Sequence, residues 1–247
     1  MRNFKRTLGG IVLWGIAAIT SAAPIADSAG GFSPTQGQNG WTYGFFDAGP
    51  APGANYAVGG FVQFDTFDAV DNRWEASSAQ VSTGNNVFLS VDVNGGHPTG
   101  IGPDAQDSII WAVRRYTSAT AGLVDVSYVL RKRNTGNPNG GGITGHLFVD
   151  GVALLDQFIA NADGVGVQNT LAILVNAGSF IDLAIDPTGL TSARDPSIHN
   201  ARADGTDFMA VITTHAAPVP EPGELALMLA GLALTGVMVS GRNRRMA

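Results

Sequence analysis

Between Trp41 and Thr213 the chain is a succession of short apolar runs, each closed by a cluster of glycine, proline, asparagine or aspartate. Several runs alternate with period two. Val87, Leu89, Val91 and Val93 share one face of VFLSVDV, and Val124, Val126, Tyr128 and Leu130 share one face of LVDVSYVLR. Successive side chains of a strand point to opposite sides, so this alternation marks strands with one face in a core. No convincing amphipathic helical run separates them, and a parallel sheet needs crossovers of that kind. The pattern predicts an all-β chain, an antiparallel β-sandwich or jelly roll. No repeat of fixed period stands out, which argues against a propeller or solenoid.

The 33 glycines in 247 residues fit that reading, because glycine suits tight turns and weakens helices. About ten strands are expected. Residues 41–46 (WTYGFF) read as one strand, and 61–67 (FVQFDTF) as another with imperfect alternation. A turn is expected over 71–77 around Trp74, and a strand over 109–116. Asp150-Gly151 lies between apolar runs 143–149 and 152–158, a strong hairpin signal. A second hairpin is expected between 170–175 and 180–185, turning at Asn176-Ala177-Gly178, and residues 208–213 read as a closing strand.

Composition excludes several functions. With a formal net charge of −6 and no large basic face, the chain does not suit nucleic acid. It has no cysteine, which rules out disulfides, iron–sulfur clusters, thiolate zinc sites and cysteine nucleophiles.

Both ends read as addresses. Arg2, Lys5 and Arg6 precede an apolar stretch over residues 8–19 and the small residues Ser21, Ala22 and Ala23. That order is a signal peptide, over residues 1–23, for signal peptidase. Residues 24–35 are small and polar and read as a flexible leader, and 36–215 as the β-sandwich domain. A proline-rich linker follows at 216–224, then an uncharged apolar run, then a basic tail at 242–247 with Arg242, Arg244 and Arg245. The run over 225–240 would be about 24 Å long as a helix, slightly short of a bilayer core of about 30 Å. Extension to Gly241 gives a C-terminal transmembrane helix over 225–241, with the arginines on the cytoplasmic side and the β-domain outside.

Within the domain, Trp41, Tyr43 and Trp74 are candidate sugar-stacking side chains, because a pyranose face packs on a π-face. Trp74 lies between Arg73 and Glu75 and is the one expected nearest the surface; Trp111 is expected in the core. Asp186, Asp204 and Asp207 are candidate Ca²⁺ ligands, with Asx-turn capping as the alternative. Arg131-Lys132-Arg133 reads most simply as a solvated strand end. No catalytic residue is assigned. The chain lacks a nucleophile elbow, a P-loop and an H-E-x-x-H motif, and residues 36–215 hold one glutamate, Glu75.

Pro220, Glu221 and Pro222, the apolar run and the arginine cluster, in that order, resemble a PEP-CTERM sorting domain. The resemblance is confined to the last 29 residues, from Val219 to Ala247. It implies handling by an exosortase, a membrane-embedded cysteine protease–transpeptidase of Gram-negative bacteria, with Pro220, Glu221 and Pro222 as the recognition element. It further implies delivery to the envelope, cell surface or extracellular matrix after processing. The stretches W-A-V-R-R-Y and D-G-T-D-F are similar to jelly-roll modules of exported bacterial proteins and bear on the fold class alone. The leading expectation is a non-enzymatic exported surface or matrix protein whose β-sandwich contacts polysaccharide or envelope components. The alternatives are a sandwich-fold glycan hydrolase or lyase and a self-associating structural matrix protein.

Overall fold

The computed structural model describes residues 24–49, 55–81, 88–100, 108–137, 141–188 and 204–215, with 227–229 and 232. The signal peptide, Pro220–Pro222, Arg242, Arg244, Arg245 and nearly all of the expected transmembrane helix lie outside the described residues. Residues 227–229 and 232 are helical, and no described helix is long and apolar enough to cross a membrane.

Residues Ala23–His215 form one compact unit. Its strands are β1 (Pro24–Asp27), β2 (Trp41–Asp47), β3 (Phe61–Gln63), β4 (Thr66–Asp68), β5 (Arg73–Glu75), β6 (Ser90–Asp92) and β7 (Gly95–His97). They continue with β8 (Ile110–Thr117), β9 (Gly122–Lys132), β10 (Ile143–Val149), β11 (Val152–Ile159), β12 (Val167–Val175), β13 (Phe180–Asp186) and β14 (Thr206–Thr214). Among the described residues one sheet is eight-stranded, ordered β12-β9-β14-β7-β6-β5-β4, with β1 also on β14; the other is six-stranded, ordered β11-β10-β13-β8-β2-β3. Every pairing among the described residues is antiparallel. The predicted all-β sandwich architecture is what these two sheets form.

The period-two faces meet between the sheets. Val124, Val126, Tyr128 and Leu130 of β9 and Phe208, Ala210 and Ile212 of β14 pack on Trp41, Tyr43 and Phe45 of β2 and Ile181, Leu183 and Ile185 of β13. A second apolar cluster, with Phe46, Tyr56, Trp111, Val113, Phe148 and Ala184, lies on the other face of the six-stranded sheet. Trp111 belongs to that cluster, so the six-stranded sheet is apolar on both sides.

Four expectations change. Residues 24–35 are not a flexible leader. Pro24–Asp27 pairs with β14, and Ser28 exchanges hydrogen bonds with Ala210 through N to O at 2.9 Å and through Oγ, which accepts from Ala210 N at 2.8 Å. Arg114, buried between the sheets, donates through Nη1 to Ser28 O at 2.8 Å and through Nη2 to the carbonyls of Asp92 and Val93. Burial lowers its pKa to about 10, and these carbonyls with the faces of Phe32 and Tyr43 are its setting.

Residues 61–67 are not one strand. Phe61–Gln63 pairs with β2 in the six-stranded sheet, whereas Thr66–Asp68 pairs with β5 in the other. The chain changes sheets at Phe64 and Asp65, which accounts for the imperfect alternation. The expected turn at 71–77 is a turn only as far as Asn72; Arg73–Glu75 is a strand.

The Asp150-Gly151 hairpin forms, with φ of 50° and 85° at its two central residues. Positive φ at both positions is what a right-twisted two-residue hairpin turn needs. The second expected hairpin does not form. β12 pairs with β9, and β13 lies between β10 and β8, so the turn at Asn176–Gly178 carries the chain across the sandwich. Both strands bury one face in the same core, so sheet-to-sheet packing links them without a shared ladder.

Candidate functional site

The aromatic candidates are core residues. Trp41, Tyr43 and Trp74 are all buried. Tyr43 stacks on Trp74 with ring centroids 6.3 Å apart, Trp41 packs on Tyr116, and Trp74 Nε1 donates to Ser33 O at 2.8 Å. A sugar ring cannot reach these faces. Trp74 alternates with Arg73 and Glu75 along β5, and the charged neighbours take the outer face and leave the indole inside.

The acidic candidates are occupied by protein partners. Asp204 accepts from Lys132 Nζ at 2.9 Å, with both side chains buried. Asp207 accepts from Arg131 Nε at 2.8 Å and from Arg133 Nε at 2.5 Å. Asp186 Oδ1 accepts from Thr188 N at 2.8 Å and Thr188 Oγ1 at 2.5 Å, the capping arrangement of an aspartate at a strand end. Among the described residues no three histidine or acidic side chains come together as a metal site. The Ca²⁺ reading of Asp186, Asp204 and Asp207 gives way to ion pairing and capping.

What the acids build instead is a row of alternating charge on the outer face of the eight-stranded sheet. Along β9, Leu130 and Lys132 point inward, so Arg131 and Arg133 point out together. Asp207 stands opposite Arg131, and Gly95 of β7 stands opposite Asp207 without a side chain. Arg133 spans from Asp207 to Asp92 of β6, with Nη1 2.5 Å from Asp92 Oδ2 and Nη2 2.8 Å from Oδ1. Asp92 stands opposite Arg73 of β5, which approaches Glu75 at 3.1 Å, Asp71 at 3.2 Å and Asp68 of β4 at 3.7 Å. Burial alone would raise the Asp92 pKa, but the Arg133 guanidinium and the amides of Asn94 and Gly95 hold it below its ordinary value. The Arg133 pKa is raised by the same contacts with Asp92 and Asp207 against its desolvation.

This row is accessible. The Arg131 side chain is 47% exposed, and those of Arg133, Arg73 and Glu75 are each about a third exposed. Its donors and acceptors are held in place by one another, and its charges cancel along most of its length. Under its end lies His97, half-buried, with Nδ1 donating to Pro98 O at 2.7 Å. Burial, and then the cations Lys132, Arg133 and Arg73, lower the His97 pKa to about 4, so the ring is neutral.

A second polar group lies on the outer face of the six-stranded sheet, and nothing in the residue spacing had pointed to it. His146 of β10 stacks on Trp111 with centroids 4.6 Å apart. Its Nδ1 lies 2.5 Å from Asp156 Oδ1 on β11, and its Nε2 lies 3.5 Å from Asp186 Oδ2, an ion-pair distance rather than a hydrogen bond. Burial would lower the His146 pKa, yet Asp186 and Asp156 outweigh it and the pKa is raised. The charged imidazolium is therefore favoured in the fold. It contributes stability that is complete below the ordinary value of 6.5 and is lost as pH rises through the raised folded value. Melting temperatures measured from pH 5 to 9 will fall across that window in the native chain, and the corresponding fall will be absent in His146→Gln.

No known protein family matches the chain, and no curated protein matches it. Loosely similar solved structures exist. One holds the CBM51-2 and INT domains of Clostridium perfringens ZmpB with GlcNAc; it is 15% identical, and the match covers 49% of this chain and 26% of that one at a TM-score of 0.30. Another is the GH26-CBM35 β-(1,4)-mannanase of Podospora anserina, 18% identical over 57% of this chain and 25% of that one at 0.27. A third is the β-glucosidase of Kluyveromyces marxianus with glucose, 11% identical over 76% of this chain and 18% of that one at 0.32. The matched region is about a quarter or less of each of these proteins. Superpositions this loose fix neither a binding site nor a reaction.

Proposed function

We propose that the chain is an exported, non-enzymatic surface or matrix protein whose β-sandwich holds polysaccharide on the charged row Arg131–Asp207–Arg133–Asp92–Arg73. The signal peptide sends it out, the segment over 225–241 holds it at the membrane, and an exosortase acts at Pro220, Glu221 and Pro222 before delivery to the surface or matrix. The observation that supports the binding reading is the row itself. Donors and acceptors alternate across neighbouring strands, the arginines and Asp92 keep part of their side chains open to water while Asp207 is buried beneath them, and the row needs no rearrangement to meet a ligand. Sugar hydroxyls both donate and accept, so they match such a row. The five acids Asp68, Asp71, Glu75, Asp92 and Asp207 face three arginines, which favours neutral polysaccharide over polyuronate.

Retention of the full chain on immobilised neutral polysaccharides tests this. Arg131→Ala removes the most exposed donor of the row while Arg133 still holds Asp207. It should weaken retention roughly tenfold, the scale of one charge-assisted hydrogen bond. Retention unchanged in Arg131→Ala, or equal on a polyuronate column, rejects the assigned site. Sorting is tested separately by fractionation of cells carrying Pro220→Ala with Glu221→Ala: the protein should stay with the membrane, and unchanged release would remove the exosortase step.

A further inference from the structure

The two sheets end differently on their two sides. On one side the edge strands β3 and β4 are three residues long and offer little to pair with. On the other side the edges are long: β11 has 8 residues and β12 has 9. β11 carries Asp156 and is broken by a register shift opposite Leu147 and Phe148. Charges and bulges of that kind guard an edge against pairing. β12, VQNTLAILV, has no charge and no proline, and its ladder with β9 runs without a shift from Val167↔Leu130 to Val175↔Gly122. It also exposes Leu174, at 74%, beside the exposed Leu123 of β9.

We infer that β12 is the pairing edge for a second copy of this chain, joined antiparallel about a twofold axis at Leu171. The strand is self-complementary in that register. Leu171 meets Leu171, Thr170 meets Ala172, Asn169 meets Ile173, Gln168 meets Leu174 and Val167 meets Val175. Each cross-strand pair joins two apolar residues or an apolar and an uncharged polar one. Charge selects the same place. Two chains that each carry a formal −6 repel wherever their carboxylates meet, and β12 is a long edge with none. Val167 and Leu171, only partly buried against the core of one copy, gain neighbours from the other. Because the same edge is used on both copies, the contact closes on itself and stops at a dimer.

The full chain purified in detergent should sediment as a protein dimer at micromolar concentration. Thr170 and Ala172 both have exposed side chains on the outer face, so T170K/A172K leaves the monomer fold intact and sets the new lysines against one another across the axis. That variant should raise the dimer Kd at least about tenfold, and T170K/A172D, which sets opposite charges in the same positions, should restore it. A native chain that is monomeric at every concentration overturns the proposal. So does a dimer indifferent to T170K/A172K, which would place the contact elsewhere, the membrane segment included.

Discussion

Replacing Asp182 with alanine is expected to lower the stability of the fold by about 3–5 kcal/mol, the cost of stranding one member of a buried ion pair. Asp182 lies on β13 and is fully buried. Arg115 grips it at both oxygens, Nε to Oδ1 at 2.8 Å and Nη2 to Oδ2 at 2.9 Å, and Tyr56 donates its hydroxyl to Oδ2 at 2.7 Å. The guanidinium lies against the rings of Phe61 and Phe180, with centroids at 4.2 and 4.4 Å. Without the carboxylate it keeps the Val58 carbonyl and the Tyr56 hydroxyl, neither of which is charged. Urea unfolding should show a lower midpoint with an unchanged slope. Asp182→Ala with Arg115→Met, which removes both charges, should recover most of the loss; if the double variant is as unstable as the single one, packing rather than the stranded charge is the cause.

The second large effect is at Lys132 and Asp204. Asp204→Ala should also cost about 3–5 kcal/mol, whereas Lys132→Met with Asp204→Leu should be neutral or stabilising, because desolvation consumes what the pair gains. The pKa shifts of both partners show which effect dominates. Burial raises the Asp204 pKa to about 6 against the pull of Lys132, and burial lowers the Lys132 pKa against the pull of Asp204. The linkage has a definite sign. A carboxyl whose folded pKa exceeds its unfolded value of 3.8 keeps its proton more readily in the fold, so its contribution falls as pH rises from about 4 to about 6. Asp204→Asn should flatten the stability profile over that interval. A profile unchanged from the native one would mean that Asp204 titrates normally.

How much was legible follows from what strand periodicity reports. It gave the buried face of β9 residue by residue, because a half-buried strand writes its core face into every second position. It was silent on which strand neighbours which. The turns at Asp150-Gly151 and at Asn176–Gly178 look alike locally, yet the first joins ladder partners and the second joins opposite sheets. The same alternation could have located the charged row: in Arg131-Lys132-Arg133 the middle cation must face inward and needs a carboxylate there, while the outer two share a surface. Reading the triplet as a solvated end missed both. Trp74 was misplaced for the converse reason, since charged neighbours in a strand imply a buried residue between them. The His146 group was invisible because Asp156 and Asp186 reach it across two different ladders.

The place of β14 sets an order of events. It is the last strand of the unit, yet it sits in the middle of its sheet, with β9 along one side and β7 and β1 along the other. Until Thr206–Thr214 has been synthesised, β9 and β12 cannot join β7, β6, β5 and β4, and the first strand has no ladder to dock on. The sandwich therefore cannot close from its beginning as the chain emerges. A chain threaded through a narrow pore would stay open, and slow to fold, until its penultimate stretch had cleared the exit.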